Sequence, residues 1–490
     1  MEKAGITMGK FIAGLVIAIL VSSAVSVGIF TQLIKYMHAL PDYDSGWVDI
    51  TNNVGEYFNV THNLNSEDII VDIRGKTTAS SGAHQRYYGL TDTTGWTQTH
   101  GGANYDHAYS MVQTSDEGYA FAGYTDSYGA GGNDFWLVKT DAYGTLQWSQ
   151  TYGGTDNEIA YSMIQTLDGG YALAGFTASY DAGKYDFWLV KTDSAGNPQW
   201  NQTYGGADYD YAYSVIQASD GGYAIAGITD SYGAGDYDFW LVKTDASGTL
   251  QWSRTYGGAN NNYAHSVVQT SDGGYALAGY ADSYIADDPS FWLVKTDSAG
   301  NQQWNQTYGG AKYDYAYSVV QTLDGGYALA GLTDSYGAGG YDFWLVKTDS
   351  IGNQQWNRTY GGASYEIAYS MVHTSDGGYA LTGFTASCGA GKYDIWLVKT
   401  DSAGNQQCNQ TYGGAGTDYA YSVVQTSDGG YALAGLTDSY GAGNYDSWLV
   451  KTDVESGLVW TDSTANTVTL YRGATDIQWN YVRVRIWKID

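Results

Sequence analysis

Large apolar, small and polar positions alternate along most of this chain with a period of two. In residues 223–229, YAIAGIT, Tyr223 and Ile225 alternate with Ala224 and Ala226. Large side chains on one face and small ones on the other suit a sheet packed closely on both sides. The neighbouring segments YAYSVIQAS (211–219), DFWLVKTD (238–245) and LQWSRTYGG (250–258) also read as strands. Between the four lie SDGG, DSYGAGDY and DASGT, all turn-forming in composition. One unit therefore predicts four short antiparallel strands, A to D. No helical pattern occurs after residue 35.

The unit recurs without insertion or deletion. The WLVK motif begins at Trp136, Trp188, Trp240, Trp292, Trp344, Trp396 and Trp448, always 52 residues apart. Seven such units fill about three quarters of the chain and predict an all-β, seven-bladed β-propeller. An open solenoid is the competing architecture, but its coils use shorter periods and a single strand direction. The strand-D aromatic occupies eight positions for seven blades: Trp96, Trp148, Trp200, Trp252, Trp304, Trp356, then Cys408, then Trp460. One end strand is thus surplus to the ring. We expect the strand at Trp96 to close the last blade and Trp460 to lead away. This divides the chain into a leader (1–35), the first part of a small β domain (36–95), the propeller (96–459) and the second part of that domain (460–490). An insertion of this kind is natural, because ring closure brings the propeller's ends together.

The unit DGGYALAG…DFWLVKTDSAGN…QWNQTYGG resembles a repeat of secreted archaeal and bacterial β-propeller proteins, a largely uncharacterised family. The resemblance covers residues 96–460 and implies the fold and export, not an activity. The turn KTDSAGNPQW (191–200) is similar to the tryptophan-docking turn of quinoprotein dehydrogenase propellers, one residue shorter between Asp193 and Trp200. That likeness implies packing of Trp200 and its equivalents between blades; no unique loop offers the quinone and calcium constellation of those enzymes. The turn also shares the Asp-turn-Trp shape of sialidase Asp boxes, without their arginine cluster. The split flanks resemble small β-sandwich modules of secreted archaeal and phage surface proteins.

Residues 11–30 form an uncharged apolar stretch of twenty residues behind Lys3 and Lys10, about 30 Å long as a helix. It predicts an N-terminal transmembrane anchor with the bulk of the chain extracellular; the rivals are a cleaved signal peptide, with secretion, and a pilin-like leader. Sequons at Asn59, Asn201, Asn305, Asn357 and Asn409 are candidate glycosylation sites. The chain carries 43% hydrophobic residues and only three prolines, which excludes disorder and polyproline rods. Its net charge of −29 excludes a nucleic-acid partner, since phosphates would be repelled. Two cysteines, Cys388 and Cys408, make no disulfide framework.

The AB and CD turns of the unit are tight, and the BC and DA connections are long and rich in Tyr, Asp and Gly. Function concentrates on long loops of a rigid scaffold, so the BC/DA face is the candidate surface. Three rings of positions mark it. Asp106, Glu158, Asp210, Asp314, Glu366 and Asp418 form the first, with Asn262 in the fourth unit. Asp134, Asp186, Asp238, Asp342, Asp394 and Asp446 form the second, interrupted by Ser290. Tyr128, Tyr180, Tyr232, Tyr284, Tyr336 and Tyr440 form the third, interrupted by Cys388. The structural reading has the acids bonding their own turns and the tyrosines filling gaps. The functional reading takes the first and third rings as ligand-binding residues for a cell-surface glycan or protein, with calcium as an alternative bridge between carboxylates. No catalytic constellation and no metal-ligand spacing of the seven histidines is present. The expected function is surface-displayed binding or adhesion; the alternatives are an exported glycan-processing enzyme and a structural envelope component. The most divergent stretch, residues 284–290 of the fourth unit, is where an asymmetric site would lie. Lys139, Lys191, Lys243, Lys295, Lys347, Lys399 and Lys451 are expected to form ion pairs within their blades.

Overall fold

In the third blade, strand A (Asp210–Gln217) pairs with B (Tyr223–Thr229), B with C (Asp238–Thr244) and C with D (Leu250–Tyr256), all antiparallel. The same order recurs in seven four-stranded sheets. The computed structural model describes residues 95–180, 183–282 and 289–452 in full, and eight flanking strands as backbone. The chain is thus all-β through its described residues, and its propeller has seven blades. The seventh blade takes its outer strand from Thr97–His100, which pairs with Asp446–Lys451 in the register Ser447↔His100 to Val450↔Thr97. Trp96 thereby stands where the expectation placed it, at the join.

Strand B is buried throughout, whereas strand D is largely exposed at its first positions. The core lies between successive blades. Ala172, Ala174, Phe187 and Leu189 of blade two pack against Ala212, Val215, Tyr223, Ile225 and Trp240 of blade three. The alternating alanines let the sheets approach, and the large residues of the next blade fill the space. Strand A bulges between Ala212 and Ser214. A Cβ on Gly227 would come 1.9 Å from the Tyr211 carbonyl oxygen, so strand B needs glycine opposite the bulge.

Polar links tie the blades together as well. The Trp200 ring lies over Gly248 of the next blade's CD turn; a Cβ there would come 2.6 Å from it, and the glycine has φ +80°. Trp200 also meets Tyr223 edge-on at 5.7 Å. Tyr256 donates to the Gly300 carbonyl at 2.7 Å, and Ser214 Oγ accepts from the Val267 amide at 3.2 Å. Equivalent bonds recur from blade to blade, so each blade is latched by aromatic packing and by hydrogen bonds.

A second unit combines both flanks of the propeller. One of its sheets orders Tyr43–Asp44, Tyr481–Lys488, Ile69–Lys76 and His84–Tyr88, with Val48–Asp49 also on Tyr481–Lys488. The other orders Tyr57–Thr61, Thr467–Arg472 and Leu458–Thr464. The eighth copy of the strand-D aromatic, Trp460, belongs to this second sheet rather than to a blade. Residues 11–30, expected to form the anchor, lie outside the described residues. Among the described residues no helix is long and apolar enough to cross a membrane.

Candidate ligand-binding face

Six of the seven blades build their BC and DA connections around buried carboxylates. Asp106, Glu158, Asp210, Asp314, Glu366 and Asp418 are all 0% exposed. In blade two, Glu158 Oε2 accepts from the Gly154 amide at 2.7 Å, and Oε1 accepts from Thr177 Oγ1 at 2.9 Å and the Ser179 amide at 3.0 Å. In blade one, Asp106 holds the Gly102 amide and Ser127 Oγ, both at 2.7 Å, together with Thr125 Oγ1. All six acids are thus buried at the starts of their strands rather than presented to solvent. The carboxylate of the first strand-A residue fastens loop amides and hydroxyls to the blade, while Asp210 Oδ1 and Asp418 Oδ1 are buried with no hydrogen-bond partner.

The second ring acts alongside it. Asp134 Oδ2 accepts from the Ala130 amide at 2.7 Å, holding the BC loop. Asp342 is raised to about 6, first by burial and then by the charge of Glu366. The lysine ring turns to the opposite edge of the blade. Lys191 Nζ lies 2.8 Å from Asp168 and donates to the Thr192 carbonyl at 2.8 Å and to Gln199 at 3.1 Å. All seven lysines make this pair with the aspartate of the AB turn. Burial alone would raise Asp168, but Lys191, Thr166 and the Gly170 amide outweigh it and hold the carboxyl down to about 2.

The tyrosine ring is presented to solvent. Tyr128, Tyr180, Tyr232, Tyr336 and Tyr440 are each between 43% and 50% exposed. Tyr232 donates to the Gly205 carbonyl at 2.7 Å, and its ring leans on Trp240 at 5.3 Å and 41°. The same hydroxyl bond and tryptophan contact recur at the other four. Each ring is thus clamped at its hydroxyl and on one face, leaving the other face open. Tyr284 lies outside the described residues, and Cys388 takes the sixth blade's place as an exposed free thiol. Cys408 is also exposed.

Sequence reasoning missed the channel. Tyr109, Tyr161, Tyr213, His265, Tyr317, Tyr369 and Tyr421, one from each strand A, contact each other in a closed collar with centroids 4.9–5.3 Å apart. This closure makes A the innermost strand. Burial and neighbouring tyrosines push the Tyr213 hydroxyl well above its ordinary range. Burial lowers His265 to about 4, so it is neutral at pH 7. Above the collar, Tyr211 stacks between Tyr209 and Tyr213 at 11° to each. The signal was present as YAY in strand A, with tyrosines at period two.

The sequon residues Asn201, Asn305 and Asn409 are exposed on strand D, and Asn357 is half-buried there. The side-chain oxygens of Asn201, Asn305 and Asn409 accept from the strand-C indoles Trp188, Trp292 and Trp396. Asn59 lies on Tyr57–Thr61 of the second unit. Among the described residues no group of three or more His, Cys, Asp or Glu is arranged to hold a metal ion. For calcium, this leaves the first-ring carboxylates engaged with hydroxyl and amide donors.

No family model matches the chain. The regulatory protein FlaEY of Caulobacter vibrioides is 25% identical to it over 245 residues, covering 43% of this chain. The chain spans about a quarter of the length of that curated relative, 25%. Among solved structures, a puromycin hydrolase is similar at 12% identity and a TM-score of 0.47, over 72% of this chain and 54% of that one. Sqt1 from Chaetomium thermophilum is similar at 13% identity and a TM-score of 0.42, over 81% of this chain and 100% of its own. Drosophila Plexin A in complex with Semaphorin 1b is similar at 9% identity and a TM-score of 0.39, over 73% of this chain and 88% of its own. At these scores the likenesses carry no argument about activity.

Proposed function

We propose that this chain is a surface-displayed extracellular binding or adhesion protein whose BC/DA propeller face is a platform for a glycan or protein ligand, held at the membrane by residues 11–30. The supporting observation is the set of five tyrosines, each half exposed and locked by a hydroxyl bond and a tryptophan. A ring immobilised before binding loses little entropy when a sugar or side chain stacks on it. Repetition around the face multiplies weak contacts into avidity. The buried acids serve this reading by positioning loops, not by touching ligand. The blades repeat one environment, whereas acid–base catalysis needs groups in unlike environments.

The test is a glycan array and an array of defined cell-surface proteins, probed with the full chain, with and without calcium. Reproducible binding that Tyr232→Ala weakens and Tyr128→Ala/Tyr180→Ala/Tyr232→Ala abolishes is the expected result. Silence of the wild type on both arrays, or binding indifferent to all three substitutions, overturns the platform.

A further inference from the structure

Blade four departs from the pattern at several positions that meet in space. Asn262 replaces the first-ring acid, Ala281 the threonine that elsewhere caps it, and Ser290 the second-ring acid. Strand B lengthens to Tyr275–Asp282 and strand C begins at Pro289. Beside them opens a cavity of about 500 Å³ on the BC/DA face, its walls including Tyr263, Tyr280, Tyr313 and Tyr315, with Asp236 and Asp282.

The walls are electron-rich and continuous. Tyr263 stacks on Tyr280 at 4.8 Å and 16°, Tyr280 meets Tyr315 at 4.2 Å, and Tyr315 meets Tyr313 at 6.1 Å. Among the described residues no lysine or arginine pairs with Asp236 or Asp282; the lysines nearby on this face pair elsewhere, Lys184 with Asp208 and Lys312 with Asp334. Burial raises the Asp282 carboxyl, and Asn261 donates to it. The other end of that amide, Asn261 Oδ1, is buried and has no hydrogen-bond partner.

The preceding junction carries a lysine of its own. Lys184 of blade two lies 3.1 Å from Asp208 and 4.3 Å over the Tyr209 ring. One period later Lys184 corresponds to Asp236, Asp208 and Tyr209 correspond to Asn260 and Asn261, and Asp230, whose charge also acts on Lys184, corresponds to Asp282. One junction therefore carries its own ammonium, and the next replaces it with a carboxylate beside an aromatic cavity. We infer that the blade-four cavity binds an ammonium group of a ligand, its charge facing Asp236 and Asp282 and its N–H or methyl groups against the tyrosine faces. Cation–π attraction and a desolvated carboxylate act together here. Among the described residues the lining supplies two carboxylates and no group of three or more His, Cys, Asp or Glu that could hold a metal ion. The net charge of −29 draws cations toward the face. The inference rests on the platform reading and names one ligand chemistry for it.

Isothermal titration of the full chain with tetramethylammonium and with N-acetyl-lysine methylamide tests it, with N-acetyl-leucine methylamide as the neutral control. Saturable binding of an ammonium but not of the neutral amide is expected, weakening as salt rises. Asp236→Asn/Asp282→Asn should raise Kd by about tenfold or more. Tyr280→Leu, the residue blade five carries at Leu332, should weaken it too. Preference for the lysine amide marks a protein side chain as the source, and preference for tetramethylammonium marks a small quaternary ammonium. Absence of saturable ammonium binding, equal binding of the neutral amide, or binding unchanged in both variants overturns the inference. Since Asp236 is exposed, Asp236→Asn alone keeps the test decisive if another variant misfolds. Ammonium silence with array binding retained removes this inference alone; array silence with ammonium binding retained removes the glycan-or-protein platform.

Discussion

Blades three and four share their strand order and core, yet differ where the BC and DA loops are fastened. In blade three, Asp210 accepts from the Gly206 amide at 3.0 Å and from Ser231 Oγ at 2.8 Å, and Asp238 accepts from the Ala234 amide at 2.7 Å. In blade four, Asn262 donates instead to the Asn260 carbonyl at 2.7 Å, and no carboxylate stands at 290. The core is indifferent to this: Phe239 meets Trp292 at 4.5 Å as Phe187 meets Trp240 at 4.6 Å. Packing and loop fastening are therefore separable layers of the same blade. The difference teaches that one layer carries the fold and the other is free to vary.

The sharpest way to break the comparison is to attack the layer that the two blades share. Trp240→Ala and Trp292→Ala should each cost about 3–5 kcal/mol in urea unfolding, because both leave a cavity between blades. A markedly smaller loss at Trp292 would mean that blade four is loosened in its core as well. Next in size is the fastening layer. Asp210→Ala strands buried donors and should cost about 1–3 kcal/mol, whereas Asn262→Ala should cost less, about 1 kcal/mol. Equal losses would erase the distinction.

The pH dependence sharpens it further. Asp342, raised to about 6, keeps a proton in the native state that the unfolded chain releases near pH 4. Its relative stabilisation is present at low pH and lost as pH rises through about 6. Asp168, held down to about 2, contributes stability above about pH 4 that is lost as pH falls toward 2. The melting temperature should therefore peak near pH 4 and fall between about pH 4 and 6, a limb that Asp342→Asn flattens. Position 290 in blade four is a serine and adds nothing to that limb, and Ser290→Asp should steepen it. The smallest effect is expected at the surface: Tyr232→Ala should cost about 1 kcal/mol of stability or less while removing a platform contact. A large loss of stability there would make the tyrosine ring structural.

The seven blades, their four strands and the closing strand at Trp96 were legible because a 52-residue period repeats every local signal seven times. The exposed tyrosines were legible too, since they follow strand B in a long loop. The direction of the acids was not. A carboxylate at a strand end reads alike whether it turns inward or outward, and only the pairing Glu158↔Thr177, with Thr177 Oγ1 donating to the carboxylate, shows it inside.

What the chain determined by itself was local: strand periodicity, turn glycines, and an alternation of alanine with large residues that makes a blade stackable on its copy. What the tertiary structure alone decided was everything formed between copies. The collar needs strand A to be innermost, a consequence of closing seven sheets into a ring. The blade-four cavity joins Asp236, Asp282 and Tyr315, residues of three successive units, across blade junctions. Periodicity describes one unit at a time, whereas channels and cavities are properties of the contact between units, where a single substitution matters only beside its neighbours in space.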